Sequence, residues 1–576
     1  MSVAACVGAA MTFALLRNSA DLAARQSKGL ILGRVIDGTT GAPVPGARVH
    51  SSAPEFVITD ESGQFAMFDV PATNVLISVI KAGYSTSYPY ELFYGASSLF
   101  NELMDGRRGM SVSVGAGERK TLTIRAWKTA TISGRVLDEA GEPVVGVEVF
   151  AYPRMLAGGR PWLNTTLAFT GHTDDRGAYR IPELRAGDYV VGVPSTRITG
   201  RAIGRVDPIT YAPGVTAPSA ATAVTIAPGA ERSGLDVVLA PTRAYAVAGR
   251  VTGPSGSVAG IPIRLVHAND GLADTDVAIG ATDGSGRFTL PAVPPGSYRL
   301  LAWSFPSKSR GSGMQAVVGS TGVNTRDADA MSAMPALWAD VALAVDDRDQ
   351  TDLVVSVRAG ARISGTVRVS EESTAVDLPS LRPELQPVDG RLPQFRADEE
   401  IAVDRTGRFQ SVGLRPGRYF LRTRPSRVPG QPAYVVQSAM WRGRDLTIDS
   451  IDIGADNITD VEITLAPARE NVRGTVISDR VDENVVVLFP RAEERWLDFG
   501  WRPPNIRTAL IGDANRFAIA NVPDGDYYIA AVHASVLASW PSPDVMRAIS
   551  ASATRMTVQN SKADVQELHP IVWRPR

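Results

Sequence analysis

One short pattern, an apolar residue, any residue, Gly, any residue and Val, recurs five times and constrains the fold more than any other feature. The copies are Ile31-Leu32-Gly33-Arg34-Val35, Ile132-Ser133-Gly134-Arg135-Val136, Val247-Ala248-Gly249-Arg250-Val251, Ile363-Ser364-Gly365-Thr366-Val367 and Val472-Arg473-Gly474-Thr475-Val476, with glycines about 100 to 116 residues apart. Self-similarity at such a period signals a repeated structural unit. Within each copy the alternation of apolar and polar positions is that of a half-buried strand, and the central Gly predicts a bulge or a close backbone approach. The length agrees: 576 residues, at roughly 150 per domain, call for several cores.

Two more elements follow each opening. The first starts a turn on Asp, places Gly where the chain needs positive φ, and enters a strand on an aromatic residue. It reads Asp60-Glu61-Ser62-Gly63-Gln64-Phe65, Asp174-Asp175-Arg176-Gly177-Ala178-Tyr179, Asp283-Gly284-Ser285-Gly286-Arg287-Phe288 and Asp404-Arg405-Thr406-Gly407-Arg408-Phe409. In the fifth unit Gly512 replaces Asp and Asn515 replaces Gly, which works because Asn tolerates the left-handed conformation. The second is Gly-x-Tyr entering a strand, at Tyr189, Tyr298, Tyr419 and Tyr527, with Thr73-Asn74-Val75 in its place in the first unit. Such a Tyr can bury its ring and bond a nearby backbone group, as the tyrosine corner of immunoglobulin-like sandwiches does. A last hairpin closes each unit.

About seven short strands in roughly 110 residues, with almost no helical period, is the sequence form of a Greek-key β-sandwich. The fold class is therefore all-β: a tandem array of five immunoglobulin-like sandwiches behind a short leader helix. The expected bounds are a leader over 1–28 and sandwiches over 29–128, 129–243, 244–360, 361–467 and 468–576. Joins such as Ala126-Trp127-Lys128-Thr129-Ala130 are too short for a flexible tether, so restricted hinges and an extended array are expected.

The apolar run Val3–Leu16 is too short to span a bilayer as a helix and reads as the core of an export signal, although no basic segment precedes it. A short helix ahead of the first domain is the other reading. Val3-Ala4-Ala5-Cys6 resembles a lipobox but begins the apolar run instead of ending it. Apart from this signal, no integral membrane domain is expected.

The motif set I-x-G-x-V, D-x-x-G-x-[FY] and G-x-Y resembles the carboxypeptidase regulatory-like domain, a transthyretin-like sandwich grouped with starch-binding-like folds. The first two units match best, through Gly33-Arg34-Val35-Ile36-Asp37 with Gly41-Ala42-Pro43-Val44-Pro45-Gly46-Ala47, and Gly134-Arg135-Val136-Leu137-Asp138 with Gly141-Glu142-Pro143-Val144-Val145-Gly146-Val147. Units four and five lack the Pro-Val-x-Gly turn. The resemblance implies non-catalytic envelope or secreted modules, some of them neighbours of peptidases, and the grouping implies carbohydrate binding.

Composition removes other chemistries. Lys and Arg number 59 against 60 Asp and Glu, so no net field attracts nucleic acid. One cysteine, Cys6, cannot form an intrachain disulfide, a thiolate zinc cluster or an iron–sulfur site. None of the five histidines precedes Glu by three residues, as the zinc site of carboxypeptidases requires; His172 precedes Asp175, but that Asp belongs to the repeated turn. The acidic turns supply too few oxygens for calcium. No nucleophile elbow, phosphate loop or dinucleotide fingerprint occurs. The expectation is a non-enzyme with no catalytic residue, cofactor or metal.

The expected function is an exported or envelope-attached scaffold that binds polysaccharide or another surface component; the alternative is an accessory to a separate peptidase. Aromatics in the insertion ahead of each closing hairpin, Tyr94, Tyr211, Trp338, Trp441 and Trp540, are the ligand candidates, with Trp162 in another long loop. Such rings either stack on sugar faces or cap the ends of the sandwich cores. In unit four, alternation sets Phe420, Arg422 and Arg424 on one face, which suits an anionic glycan or pairing with Asp398, Glu399 and Glu400.

Overall fold

The computed structural model describes residues 28–51, 56–72, 74–85, 110–165, 168–195, 205–254, 256–268, 276–304, 336–370, 378, 381, 383–390, 401–411, 413–423, 434–478, 484–500 and 503–572. The leader and Tyr94 lie outside them. By backbone packing the chain divides into two compact units, Met1–Gly134 with Arg180–Asp188 and Val224–Gly234, and the remainder. Both are built from β-sheets; among the described residues the only α-helix is Pro543–Ser550.

In the first unit the opening strand Lys28–Asp37 lies between Gln64–Pro71, antiparallel, and the last strand Arg119–Lys128, parallel. The facing sheet runs Phe56–Ile58, Arg48–His50, Asn74–Ile80, Met110–Ser113. Ile31, Val35, Val49, Phe65, Met67, Val75 and Ile77 fill the space between. Within the second unit the same plan recurs: Tyr245–Gly253, Ile363–Val369 and Glu470–Val476 each pair antiparallel with the strand after the turn and parallel with a strand near the end of their repeat. Parallel strands cannot be joined by a tight hairpin, so this pairing brings together the two ends of a repeat.

The repeated glycines explain why the motifs are linked. At Gly365 an added Cβ would lie 1.8 Å from the Val461 carbonyl oxygen of the parallel partner, and at Gly474 one would lie 2.1 Å from that of Gln566. The register slips between Ile363 and Gly365, so the glycine is both a bulge and a close approach. The turn glycine Gly63 has φ 73° and its carbonyl accepts from Val35, the last residue of the opening motif. The same bond joins Gly177 to Val136, Gly286 to Val251 and Gly407 to Val367.

Each turn Asp holds its own loop. The Asp60 carboxylate accepts from the Ser62 hydroxyl and from the Ser62 and Gln64 amides. Asp174, Asp283 and Asp404 repeat the pattern. A threonine just before three of these Asp residues adds a clip: Thr59, Thr173 and Thr282 each accept from the amide that starts the second strand, at Ala47, Val147 and Ile261. The Gly-x-Tyr residues form the expected corners, with Tyr298, Tyr419 and Tyr527 hydroxyls donating to the carbonyls of Pro294, Arg415 and Pro523.

An extended array predicts contacts between neighbouring repeats only; in the second unit, repeat two also meets repeats four and five. The amide of Asp498 donates to Gly158, that of Gly500 donates to Val388, and Arg160 forks onto the Asp498 carboxylate at 2.9 and 3.3 Å. A Cβ on Gly390, where φ is 68°, would stand 2.4 Å from the Gly158 nitrogen and 2.8 Å from the Gly500 oxygen. Bare backbone from three repeats thus converges where no side chain fits. Arg422 lies buried beside this joint, donating to the Gln386 amide oxygen and the carbonyls of Phe499 and Thr447. Its burial, and then the charge of Arg507, lower its proton affinity, against the opposing pull of Glu384.

Two predictions follow from the turns and the joint. The carboxyls of Asp60 and Asp404 are held below the usual range first by the Ser62 and Thr406 hydroxyls, those of Asp174 and Asp283 first by the amides of Arg176 and Arg287. Groups with depressed folded pKa values stabilise above their unfolded value, about 3.9, and lose that contribution as pH falls through the folded ones. The melting temperature of the parent chain should therefore fall more steeply from pH 5 to pH 3 than that of a variant carrying Asn at all four turns. At the joint, Gly390→Ala should speed amide exchange at Asp498 and Gly500 while leaving Val367 protected, at a cost of about 1–3 kcal/mol.

Candidate binding surface

Repeat three presents the most developed outward face among the described residues. In its strand Gly296–Ser304, Tyr298, Leu300 and Ala302 point into the core, so the odd-offset positions Arg299, Leu301 and Trp303 face out. Trp303 stands directly opposite Trp338 of the neighbouring strand Leu337–Val345, and Trp338 opposite Arg358. Directly opposed side chains have Cβ atoms about 4.5–5.5 Å apart, so the two indoles are neighbours on one sheet face. The adjacent row is Ile279, Arg264, Leu301 and Asp340.

Two ion pairs lie on this face. The Arg264 guanidinium lies 5.6 Å from the Trp303 ring centre and bonds the Asp276 carboxylate. Both ends are largely out of solvent, 9% and 18% exposed at the side chains, which favours a persistent pair over a fluctuating surface contact. Arg299 forks onto Asp340, its Nε at 3.0 Å. Asp340, Ala342 and Ala344 are exposed, so solvent reaches this side of the sheet.

The other aromatic candidates are placed differently. Tyr211 and Trp540 are fully buried: Tyr211 meets Tyr152 edge-on at 6.0 Å, and Trp540 meets Phe489 edge-on at 5.5 Å. Trp162 is 8% exposed, opposite Met155 in a hairpin. These rings present no open face to a sugar. Trp496 and Trp540 cover Phe489, which explains why Asn484–Pro490 is buried throughout instead of alternating. Trp441 is half-buried on the core of repeat four; its indole N–H donates to Thr459 at 3.1 Å, and the Arg442 guanidinium lies 4.6 Å from its ring centre. Trp338 and Trp441 sit in strands, whereas the sequence reading set them in loops. The alternation of Trp338, Asp340 and Ala342 was the available signal. Trp303 lies outside those insertions, and five residues after the inward Tyr298 strand alternation sets it facing out.

The arginine-rich strand of repeat four does not offer Arg422 to a ligand, since that side chain is 6% exposed and bonded at the joint. Arg424 and the acidic residues 398–400 lie outside the described residues. Among the described residues no cluster of three or more His, Cys, Asp or Glu could hold a metal ion, and no helix is long and apolar enough to cross a membrane.

No protein-family profile matches the chain, and no curated protein does. Solved structures with some likeness include the Bacillus anthracis TIE protein, at 12% identity over 76% of this chain and 68% of that one, TM-score 0.14. A streptococcal ancillary pilin shares 12% over 59% of this chain and 99% of its own, TM-score 0.19. BcpA, the major pilin subunit of Bacillus cereus, shares 10% over 58% of this chain and 100% of its own, TM-score 0.14. Identities and scores this low carry no functional argument.

Burial separates the aromatics by effect. Trp540→Ala and Tyr211→Ala should each cost about 3–5 kcal/mol, as large-to-small changes in a packed core do. Trp338→Ala, at a half-buried site, should cost markedly less. Calorimetric melting of the three variants checks the order.

Proposed function

We propose that this protein is a non-enzymatic, exported scaffold of the cell surface that holds polysaccharide on the outer sheet face of its third repeat. The row of Trp303 and Trp338 is the observation that carries this reading. Sugar rings have apolar C–H faces that stack on flat aromatics, and polar groups alongside fix their orientation. Trp303 and Trp338 supply two adjacent platforms, and the Arg299–Asp340 and Arg264–Asp276 pairs supply the polar surround. Five sandwich repeats with bounds near residues 128, 243, 360 and 467 are the frame, and the motif resemblance to carboxypeptidase regulatory-like domains supports both the frame and a carbohydrate ligand.

A glycan array probed with the full chain tests this. Retention of polysaccharide by the parent and its loss in the double variant Trp303→Ala, Trp338→Ala, with melting unchanged within a few degrees, is the expected result. Equal retention by both would remove repeat three as the binding face.

A further inference from the structure

Resting on that reading, we infer that the repeat-three face selects an uncharged polysaccharide bearing vicinal hydroxyls over an anionic one. Two arginines stand beside the tryptophan row, and such groups usually signal an anion, since a guanidinium forks onto carboxylate, sulfate or phosphate. Here both forks are occupied. Arg264 is held between the Trp303 ring and Asp276, with only 9% of its side chain exposed, so it cannot swing out to meet a ligand. Arg299 spends two N–H groups on the two oxygens of Asp340. Each pair sums to zero charge. An anionic chain laid along the face would gain little Coulomb attraction and would pass the half-exposed Asp340 carboxylate.

The same pairs suit neutral sugars. A carboxylate offers about four acceptor positions, so a two-point fork leaves Asp340 able to accept from a hydroxyl. At the Arg299–Asp340 pair a donor and an acceptor lie side by side, the arrangement that two adjacent hydroxyls of a pyranose can satisfy together. Leu301 stands between Arg299 and Trp303 along the strand and directly opposite Asp340, so an apolar side chain lies beside the ion pair. Arg358, exposed at the end of the tryptophan row, stands in no ion pair among the described residues; its single charge sets an upper limit on any anionic preference.

The experiment is affinity electrophoresis or calorimetry of the full chain against dextran, laminarin and soluble amylose as neutral polymers, and polygalacturonate and alginate as anionic ones, each at 50 mM and 500 mM NaCl. The expected result is binding of at least one neutral polymer with Kd changed less than twofold between the two salts. Arg358→Gln should leave that Kd within twofold, and Trp303→Ala should raise it tenfold or more. Trp338→Tyr, which keeps a ring in place, guards against a folding defect and should weaken binding by a smaller factor. Preferential binding of an anionic polymer, weakened tenfold or more by salt and lost in Arg358→Gln, would overturn the inference and leave polysaccharide binding by this face intact. Retention of no polymer at either salt would overturn the functional reading and this inference together.

Discussion

Every repeat with an Asp/Gly turn rests on one backbone bond, from the Val that ends the opening motif to the carbonyl of the turn glycine. It ties the first strand of the sandwich to a hairpin about 30 to 40 residues later, and both of its ends are specified by motif residues. The Asp side chain shapes the turn, positive φ demands Gly, and the opening strand receives it. In three repeats the threonine before the Asp fastens the second strand to the same turn, so one loop organises both sheets. A side chain on the turn glycine would strike the Val35, Val136 or Val367 carbonyl at 2.4 to 2.6 Å, so the bond and the residue type are one constraint.

What could be read from the residues follows from that constraint. Strand alternation, the turn and the tyrosine corner are local signals, and the corner bond is made by Tyr298, Tyr419 and Tyr527. The threonine clip is specified by a single residue before the Asp, and its bond reaches a strand 12 to 26 residues away. The joint is another matter. Gly158, Gly390 and Gly500 are ordinary turn glycines in sequence, and their convergence depends on three-dimensional placement that no window along the chain contains. Arg422 misled for the same reason: alternation sets it correctly on the outward side of its strand, yet that side is covered by Phe499 from another repeat. Outward from a sheet and open to solvent are separate properties.

That distinction also sorts the aromatics. Repeats two and five lay a second layer on one sheet, so Tyr211 and Trp540 serve packing, while in repeat three Asp340, Ala342 and Ala344 are exposed along the strand that carries Trp338. The proposed ligand face lies on the repeat whose outward strand positions include exposed residues among those described. Arg264 and Arg299 are locked into pairs there, and a locked pair loses little conformational freedom when a ligand arrives.

The joint has a consequence for the order in which the chain acquires its structure. Arg160 and Asp498 are 338 residues apart, a separation far longer than any within a single sandwich. Domains fold as units during synthesis, amino-terminal first, so repeat two completes its own sheets long before its partner residues exist. Its Gly158–Gly159 turn then waits with unmatched backbone groups until residue 500 has left the ribosome. A nascent chain halted before that point would carry folded sandwiches with this turn still unengaged.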